Sequence, residues 1–258
     1  MKSLPRLVLF TAFASVFCYL LWYRIAGPTD EAARAVRGNR AYVPPSDETL
    51  DHVMELLNAP GLRFAREPEA DAYLAQRLRH YLKFGHYAEL ESIMGRIRRE
   101  DLRLPNGSSL SGPFYSAVNS IQANGTAYLG YFQNWTNQYP ESKTALIALA
   151  NAHISHAWAT RGSGWAASVD PPRWRLFKKR LNYGRSVLDL AEKLPGDDVQ
   201  LPALRVNIAQ ADGAAAAEGM TALDEAARID PHDMRAYAYM TTALLPRWGG
   251  QPGEWIEF

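Results

Sequence analysis

The fold is decided by the stretch DPPRWRLFKKRLNYGRSVLDLAEKLP, residues 170–195. Asp170 can accept hydrogen bonds from free amides of a first helical turn, and Pro171 and Pro172 stand where an amide has no helical partner. The residues that follow recur at alternating steps of three and four, which places them on one face of an α-helix. They are Trp174, Phe177, Leu181, Gly184, Leu188 and Ala191. The stretch therefore predicts one long amphipathic helix.

The end of this stretch is repeated further along the chain. LDLAEKLP ends at Pro195 and LDEAARIDP ends at Pro231, so the two prolines lie 36 residues apart. Tetratricopeptide repeats join in this way, through an alanine-rich last turn and a proline that opens the next helix, with a period near 34. Tyr139-Pro140 is a third candidate joint, but its proline precedes Pro195 by 55 residues, so an insertion interrupts the register.

Composition favours the same class of fold. The chain has 38 alanines against 10 valines and 9 isoleucines, without the long apolar and polar alternation that strands show. Apolar spacing predicts an antiparallel helix pair around the turn Phe84-Gly85-His86, and further helices at about 140–160, 202–211, 214–229 and 233–245. We therefore predict that residues 46–258 form an all-α domain of tetratricopeptide-like antiparallel helix pairs, an α–α superhelix.

A membrane segment is expected at the N-terminus. Residues 7–23 carry no charge, and Arg24 follows the aromatic pair Trp22-Tyr23. A span needs about 17 to 25 apolar residues and commonly ends in aromatic and basic residues. We expect residues 1–24 to be a membrane anchor or uncleaved signal and residues 25–45 to be a tether. The competing interpretation is a cleaved signal peptide, but the residues after the apolar run are too bulky for its cleavage site.

Charge and cysteine content limit the function. Residues 1–24 carry three basic residues and no acid, which leaves 25 basic and 27 acidic residues in the body. Because these charges are interspersed, we expect no nucleic-acid binding. The single cysteine, Cys18, excludes an intramolecular disulfide and a cysteine-based zinc site. A short N-terminal tail usually stays inside, so we expect a single-pass protein whose body is exported.

The insertion contains the candidate binding residues. In RGSGW, residues 161–165, the two glycines could turn backbone amides into an anion-holding nest beside Arg161 and Ser163. We favour a structural role, in which Gly162 ends the helix in a left-handed conformation and Trp165 packs back onto the bundle, because no lysine or acidic metal partner follows at phosphate-loop spacing. The tryptophans at 135, 158, 165 and 174 similarly predict core packing, with an aromatic ligand site as the alternative.

Other polar pairs give weaker signals. His153 and His156 share one helix, but no third ligand accompanies them, so we place them on the surface or in a groove and assign no metal site. The acid pairs Glu89 with Glu91 and Asp197 with Asp198 are expected at solvated helix ends, and we assign them no catalysis.

Three motifs together resemble a known family. WATRGSGW at 158–165, the helix that starts at Trp174, and LPRWGG at 245–250 resemble the bacterial family called domain of unknown function 4034, over residues 135–258. The resemblance implies a tetratricopeptide-like helical fold and brings no activity. Members usually continue past the PRWGG-like motif, so we expect a truncated chain.

The sequence thus predicts a helical-repeat protein, anchored in the bacterial inner membrane with a periplasmic body, that binds another protein or a peptide. The alternatives are an envelope enzyme or small-ligand binder with a pocket near Arg161 and Trp174, and a purely structural brace in a larger assembly. No catalytic residue, metal or cofactor is assigned. The candidate ligand-binding or partner-binding residues are Arg161, Ser163, Trp165, Trp174 and Trp248.

Overall fold

The computed structural model describes residues 45–58, 63–120, 127–213 and 215–258. These residues form an all-α body whose one β element is an isolated bridge between Arg103 and Ser109. The α-helices are α1 Ser46–Asn58, α2 Arg63–Phe84, α3 Tyr87–Arg99, α4 Ser111–Asn119, α5 Ala127–Gln138, α6 Lys143–Arg161, α7 Pro171–Glu192, α8 Gln200–Asp212, α9 Met220–Ile229, α10 Met234–Ala243 and α11 Glu254–Glu257. Two 3₁₀-helices, Ala166–Ser168 and Pro246–Trp248, and a π-helical turn, Ala215–Gly219, connect them.

The predicted helix pair around Gly85 is confirmed. The helices α2 and α3 meet at Gly85, whose φ of +75° belongs to the left-handed region that glycine adopts at low cost. Each helix buries the apolar face that the spacing predicts, with Leu78 and Leu82 on α2 and Leu90 and Met94 on α3 fully enclosed.

The long helix predicted from residue 170 is also confirmed. One carboxylate oxygen of Asp170 accepts from the amide of Arg173 at 2.8 Å, and the two prolines occupy the first helical positions. Four of the six stripe residues, Phe177, Leu181, Leu188 and Ala191, are buried apolar side chains. They pack against α6, which starts after Ser142, whose hydroxyl accepts from the amide of Ala145.

The helices α6 and α7 approach closely at Gly184. A Cβ at this position would lie 2.9 Å from Cγ1 of Ile154 and 3.4 Å from the carbonyl oxygen of Ala150. The N-terminal two thirds of α6 is alanine-rich and buried almost all round. The α6–α7 hairpin therefore forms the centre of the domain, and both α5 and α8 pack against α6.

The C-terminal helices surround α8. Both α9 and α10 pack against α8, and their shared core contains Ala203, Val206, Leu223 and Met240. The predicted helix over 214–229 is divided, because a π-helical turn precedes α9.

The expectation that Asp198 is solvated is wrong. Its side chain is 1% exposed, and one carboxylate oxygen accepts from Arg98 at 2.6 Å and from the hydroxyl of Tyr115 at 2.8 Å. The other oxygen accepts from the amide of Gln200 at the start of α8. Burial, followed by the nearby carboxylate, raises the pKa of Tyr115 well above its usual value. Asp198 thus joins α3, α4 and α8.

Glu91 also differs from its expected solvated position. Its Oε1 accepts from Nε1 of Trp135 at 2.8 Å and from the hydroxyl of Ser142 at 2.6 Å. The residues next to Glu91 in the sequence do not indicate these partners, which belong to α5 and to the start of α6.

No helix among the described residues is long and apolar enough to cross a membrane. The predicted anchor at 7–23 lies outside the described residues, as does the predicted tether except for Pro45.

Candidate functional site: an arginine and tryptophan ladder

The candidate residues come together at the end of the α6–α7 hairpin. Arg161 closes α6, Ser163 and Trp165 lie in the following loop, and Trp174 lies in the first turn of α7. Trp248 reaches them from the C-terminal 3₁₀-helix. They lie together because α6 and α7 are antiparallel and because the chain after α10 returns to this end of the hairpin.

Arg161 is the centre of the cluster. The residue is 4% exposed, and its guanidinium carbon lies 4.5 Å from the ring centroid of Trp248, 5.5 Å from that of Trp174 and 5.8 Å from that of Trp158. Tryptophan offers the most favourable ring face for a cation, and the interaction strengthens when water is excluded. Three rings thus replace the carboxylate that usually accompanies a buried arginine.

The loop after α6 also binds Arg161. Its Nη1 donates to the carbonyl oxygens of Gly162 at 3.1 Å and Gly164 at 3.2 Å. In a trans peptide the carbonyl and the next amide point in opposite directions, so the amides of Ser163 and Trp165 face away from the guanidinium. The loop therefore presents carbonyl oxygens to Arg161, as the structural interpretation requires. An anion nest beside Arg161 would instead present amides on that side.

Two properties indicate that burying the guanidinium of Arg161 costs free energy. Its Nε is buried without a hydrogen-bond partner among the described residues. Burial, followed by the charge of Arg247, lowers the pKa of Arg161 below its usual value. Gly162 has a φ of +78°, which favours glycine as the sequence predicts, but its ψ of −179° differs from the predicted left-handed α conformation.

A second arginine extends the cluster to the surface. The guanidinium carbon of Arg247 lies 5.3 Å from the ring centroids of both Trp165 and Trp248, and its Nη2 donates to the carbonyl of Ser163 at 3.4 Å. The result is an alternating stack that we call the Arg–Trp ladder, and its members in order are Trp165, Arg247, Trp248, Arg161 and Trp174.

The prediction that Trp165 packs back onto the bundle is wrong. Its side chain is exposed, with 68% of the residue accessible to water. The sequence could not show this, because the residue that stacks against the ring, Arg247, lies 82 residues further along the chain. The predicted core packing is confirmed for Trp135, which is fully buried and stacks on Tyr87. Trp158 and Trp174 are only partly buried.

Basic residues surround the ladder. The run RWRLFKKR at 173–180 supplies five basic residues, and Asp170, which pairs with Arg173 at 3.7 Å, is the nearest acid on this hairpin. In the part of the chain that the structure describes, Arg161, Arg175, Lys178 and Arg247 have no carboxylate within ion-pair distance. Basic residues are therefore clustered here, although the charges of the whole chain are interspersed. The local excess of basic residues at 173–180 is visible in the sequence itself.

His153 and His156 are half-buried on α6, between α5 and α7. The ring centroid of His153 is 4.2 Å from that of Tyr183 on α7, and that of His156 is 5.8 Å from that of Tyr128 on α5. Burial, followed by the charges of His156 and Arg180, lowers the pKa of His153 to about 4. Within the described ranges, no three histidine, cysteine, aspartate or glutamate residues are grouped so that they could hold a metal ion.

Comparisons with models of protein families, with curated proteins and with solved structures found no match to this chain. The resemblance to the domain of unknown function 4034 family therefore stays a prediction, as do the binding roles of the ladder residues.

Proposed function

We propose that this chain is a helical-repeat protein that binds another protein or a peptide through the exposed end of the Arg–Trp ladder. One observation supports the proposal above the others: Trp165 is 68% exposed, yet its ring is supported by Arg247 and, below that, by Trp248 and Arg161. Tryptophan and arginine are enriched among the residues that contribute most to protein interfaces. A ring that is already held in place loses little conformational freedom when a partner covers it.

The helical arrangement supports a repeat architecture. The helix α8 packs against α9 and α10, and Pro231 lies in the turn between α9 and α10. In tetratricopeptide repeats the first helix likewise contacts its own second helix and the first helix of the next repeat. We infer a tetratricopeptide-like superhelix, related to the domain of unknown function 4034 family through the RGSGW and PRWGG motifs.

The membrane location completes the proposal. Residues 7–23 anchor the chain in the bacterial inner membrane, and the body lies in the periplasm. The positive charge around the ladder favours a partner with a negatively charged surface, because like charges across an interface suppress binding.

The test is extraction of the tagged full chain from its native membrane in mild detergent, followed by mass spectrometry of stoichiometric partners. We expect the wild-type chain to retain a partner and Trp165→Ala to reduce its recovery at least tenfold. Phe84→Ala is the matched control, because Phe84 is another exposed aromatic residue, 60% accessible, at the C-terminal end of α2. This variant should retain the partner.

Two results would contradict the proposal. The chain could come out alone under conditions that preserve known complexes, or the partner could remain on Trp165→Ala and Arg247→Ala as on the wild type. Unfolding curves of Trp165→Ala should match those of the wild type, because exposed positions contribute little to stability.

A further inference from the structure

A second surface lies on α7, away from Trp165. Leu176, Tyr183 and Leu190 are 40%, 44% and 51% exposed, and they follow one another at intervals of seven residues. Because seven residues make almost two helical turns, the three side chains form one stripe about 21 Å long. A single exposed leucine is ordinary, whereas a regular stripe of three large apolar residues indicates an interaction surface.

The stripe borders the surface between α5 and α7. Both α5 and α7 pack against α6, and Tyr183 contacts His153 of α6 on the side that faces α5. The hydroxyl of Tyr183 is 3.4 Å from Oε1 of Gln133 on α5. We call the surface over α6 that α5 and the apolar stripe of α7 border the α5–α7 groove, and Tyr183 reaches across it to Gln133.

The charged residues of α7 that lie near the stripe are basic. At 100° per residue, Lys179 lies about 40° and Arg180 about 60° from the direction of Tyr183 on α7, and Arg175 and Lys193 lie about 80° from it. The acids of α7 are Asp189 and Glu192, which point away from the stripe and pair with Arg205 at 3.2 and 2.8 Å.

The other elements of the groove add no negative charge. The helix α5 contains no charged residue, and the charged residues of α6 apart from its histidines are Lys143 and Arg161 at its two ends. Among the described residues, Lys179, Arg180 and Lys193 have no acid within ion-pair distance. Arg180 instead donates to the hydroxyl of Thr160 and to the carbonyl of His156 on α6.

We propose that the groove between α5 and α7 binds an acidic amphipathic helix of another protein, with apolar residues at seven-residue intervals facing Leu176, Tyr183 and Leu190 and with carboxylates facing Lys179 and Arg180. The length and spacing of the stripe fit a helix that lies along α7. Because these basic side chains have no carboxylate partner among the described residues, an acidic helix is the favoured occupant. This proposal goes beyond the proposed function, because it concerns a surface that Trp165 does not form.

The probe is a designed peptide of about 21 residues with leucines at the first and fourth position of each heptad and glutamates beside them. A second peptide has lysine in place of every glutamate. Binding of both peptides, labelled with a fluorophore, is measured by anisotropy against the full chain in mild detergent. Since the peptides have the same apolar residues, any partition into micelles is common to both.

We expect the acidic peptide to bind at micromolar concentration and the basic peptide at least ten times more weakly. Leu176→Asp with Leu190→Asp should abolish binding of the acidic peptide. Arg175→Glu with Lys179→Glu should lower its affinity at least tenfold and raise that of the basic peptide. All four positions are exposed, and the charge-reversed variant tests the groove even where the leucine variant does not fold. Trp165→Ala should leave peptide binding unchanged.

Four outcomes would overturn the proposal. Equal binding of the two peptides, or binding of neither, would remove the charge selectivity on which it rests. Loss of binding in Trp165→Ala would assign the peptide to the ladder. Dissociation of a dimer by Leu176→Asp, measured by sedimentation, would make a second copy of the chain the occupant. Retention on anionic lipid vesicles, lost in Arg175→Glu with Lys179→Glu while neither peptide binds, would make it a membrane surface.

Discussion

Arg161 is held by ring faces and backbone carbonyls in place of a carboxylate. Its charge is removed from water, and its aliphatic stem also fills space at the end of the α6–α7 hairpin. This combination lets one side chain hold the loop at Gly162, the start of α7 and the 3₁₀-helix at Trp248 in one arrangement. The exposed end of the ladder therefore depends on a residue that a partner cannot reach.

Replacement of Arg161 should destabilise the protein more than replacement of the exposed basic residues nearby. We expect Arg161→Ala to lower the free energy of unfolding by about 3 kcal/mol, because it leaves a cavity among the tryptophan rings and removes the two hydrogen bonds that hold the loop. Arg175→Ala should change it by less than about 0.5 kcal/mol. Urea unfolding measures both values. If the two variants were equally stable, the ladder would not be the structural support of the loop.

At the scale of secondary-structure elements, the close contact between α6 and α7 depends on small residues. Gly184 lets α7 approach the alanine-rich α6, with Ala150 and Ile154 directly opposite. Glycine in a helix interior costs about 1 kcal/mol relative to alanine, and its cost here is offset by the packing that it permits.

Gly184→Ala should have opposite effects in two backgrounds. In the wild type we expect it to lower the free energy of unfolding by about 1 kcal/mol, because the new Cβ meets Ile154. In Ile154→Ala the same change should raise it by about 1 kcal/mol, because the contact is absent and helix propensity remains. A double-mutant cycle in urea gives the coupling energy. Additive effects would show that the helices do not meet at this glycine.

At the scale of the whole molecule, buried aspartates join segments that are distant in sequence. Asp198 connects α3 and α4 to α8, and Asp230 accepts from the amide of Ser109 at 2.9 Å and from Arg103 at 3.3 Å. These carboxylates fix the N-terminal half of the body against the C-terminal half, so we expect a single cooperative unit.

Two adjacent aspartates provide a matched test. Asp198→Ala should lower the free energy of unfolding by about 3 kcal/mol, because it leaves Arg98 and the buried hydroxyl of Tyr115 without their partner. Asp197→Ala should cost less than about 0.5 kcal/mol, since Asp197 is exposed and its partner Arg228, at 3.5 Å, is exposed too. Denaturation curves followed by circular dichroism check both. Equal effects would mean that the network around Asp198 does not join the two halves.

Much of the helical arrangement could be predicted, because helix periodicity, proline positions and caps act over a few residues. Asp170 as an N-cap, the buried face of α7 and the turn at Gly85 all follow from such local rules. Part of the candidate site was predictable as well, since the RGSGW loop and the PRWGG motif are each recognisable in the sequence. The exposure of Trp165 and the burial of Asp198 were not, because their partners lie far away in the sequence.

The sequence by itself determined that this protein is helical and where its long helices begin, because each helix is specified by the spacing of its own apolar residues and by its own capping groups. Only the tertiary structure decided which arginine is buried, which tryptophan is exposed and which charges remain unpaired. The physical reason is that burial and ion pairing are properties of a position in three dimensions. Arg161 and Arg247 have the same side chain, and the rings that surround one and leave the other in water are brought together by the packing of α6, α7 and the segment after α10.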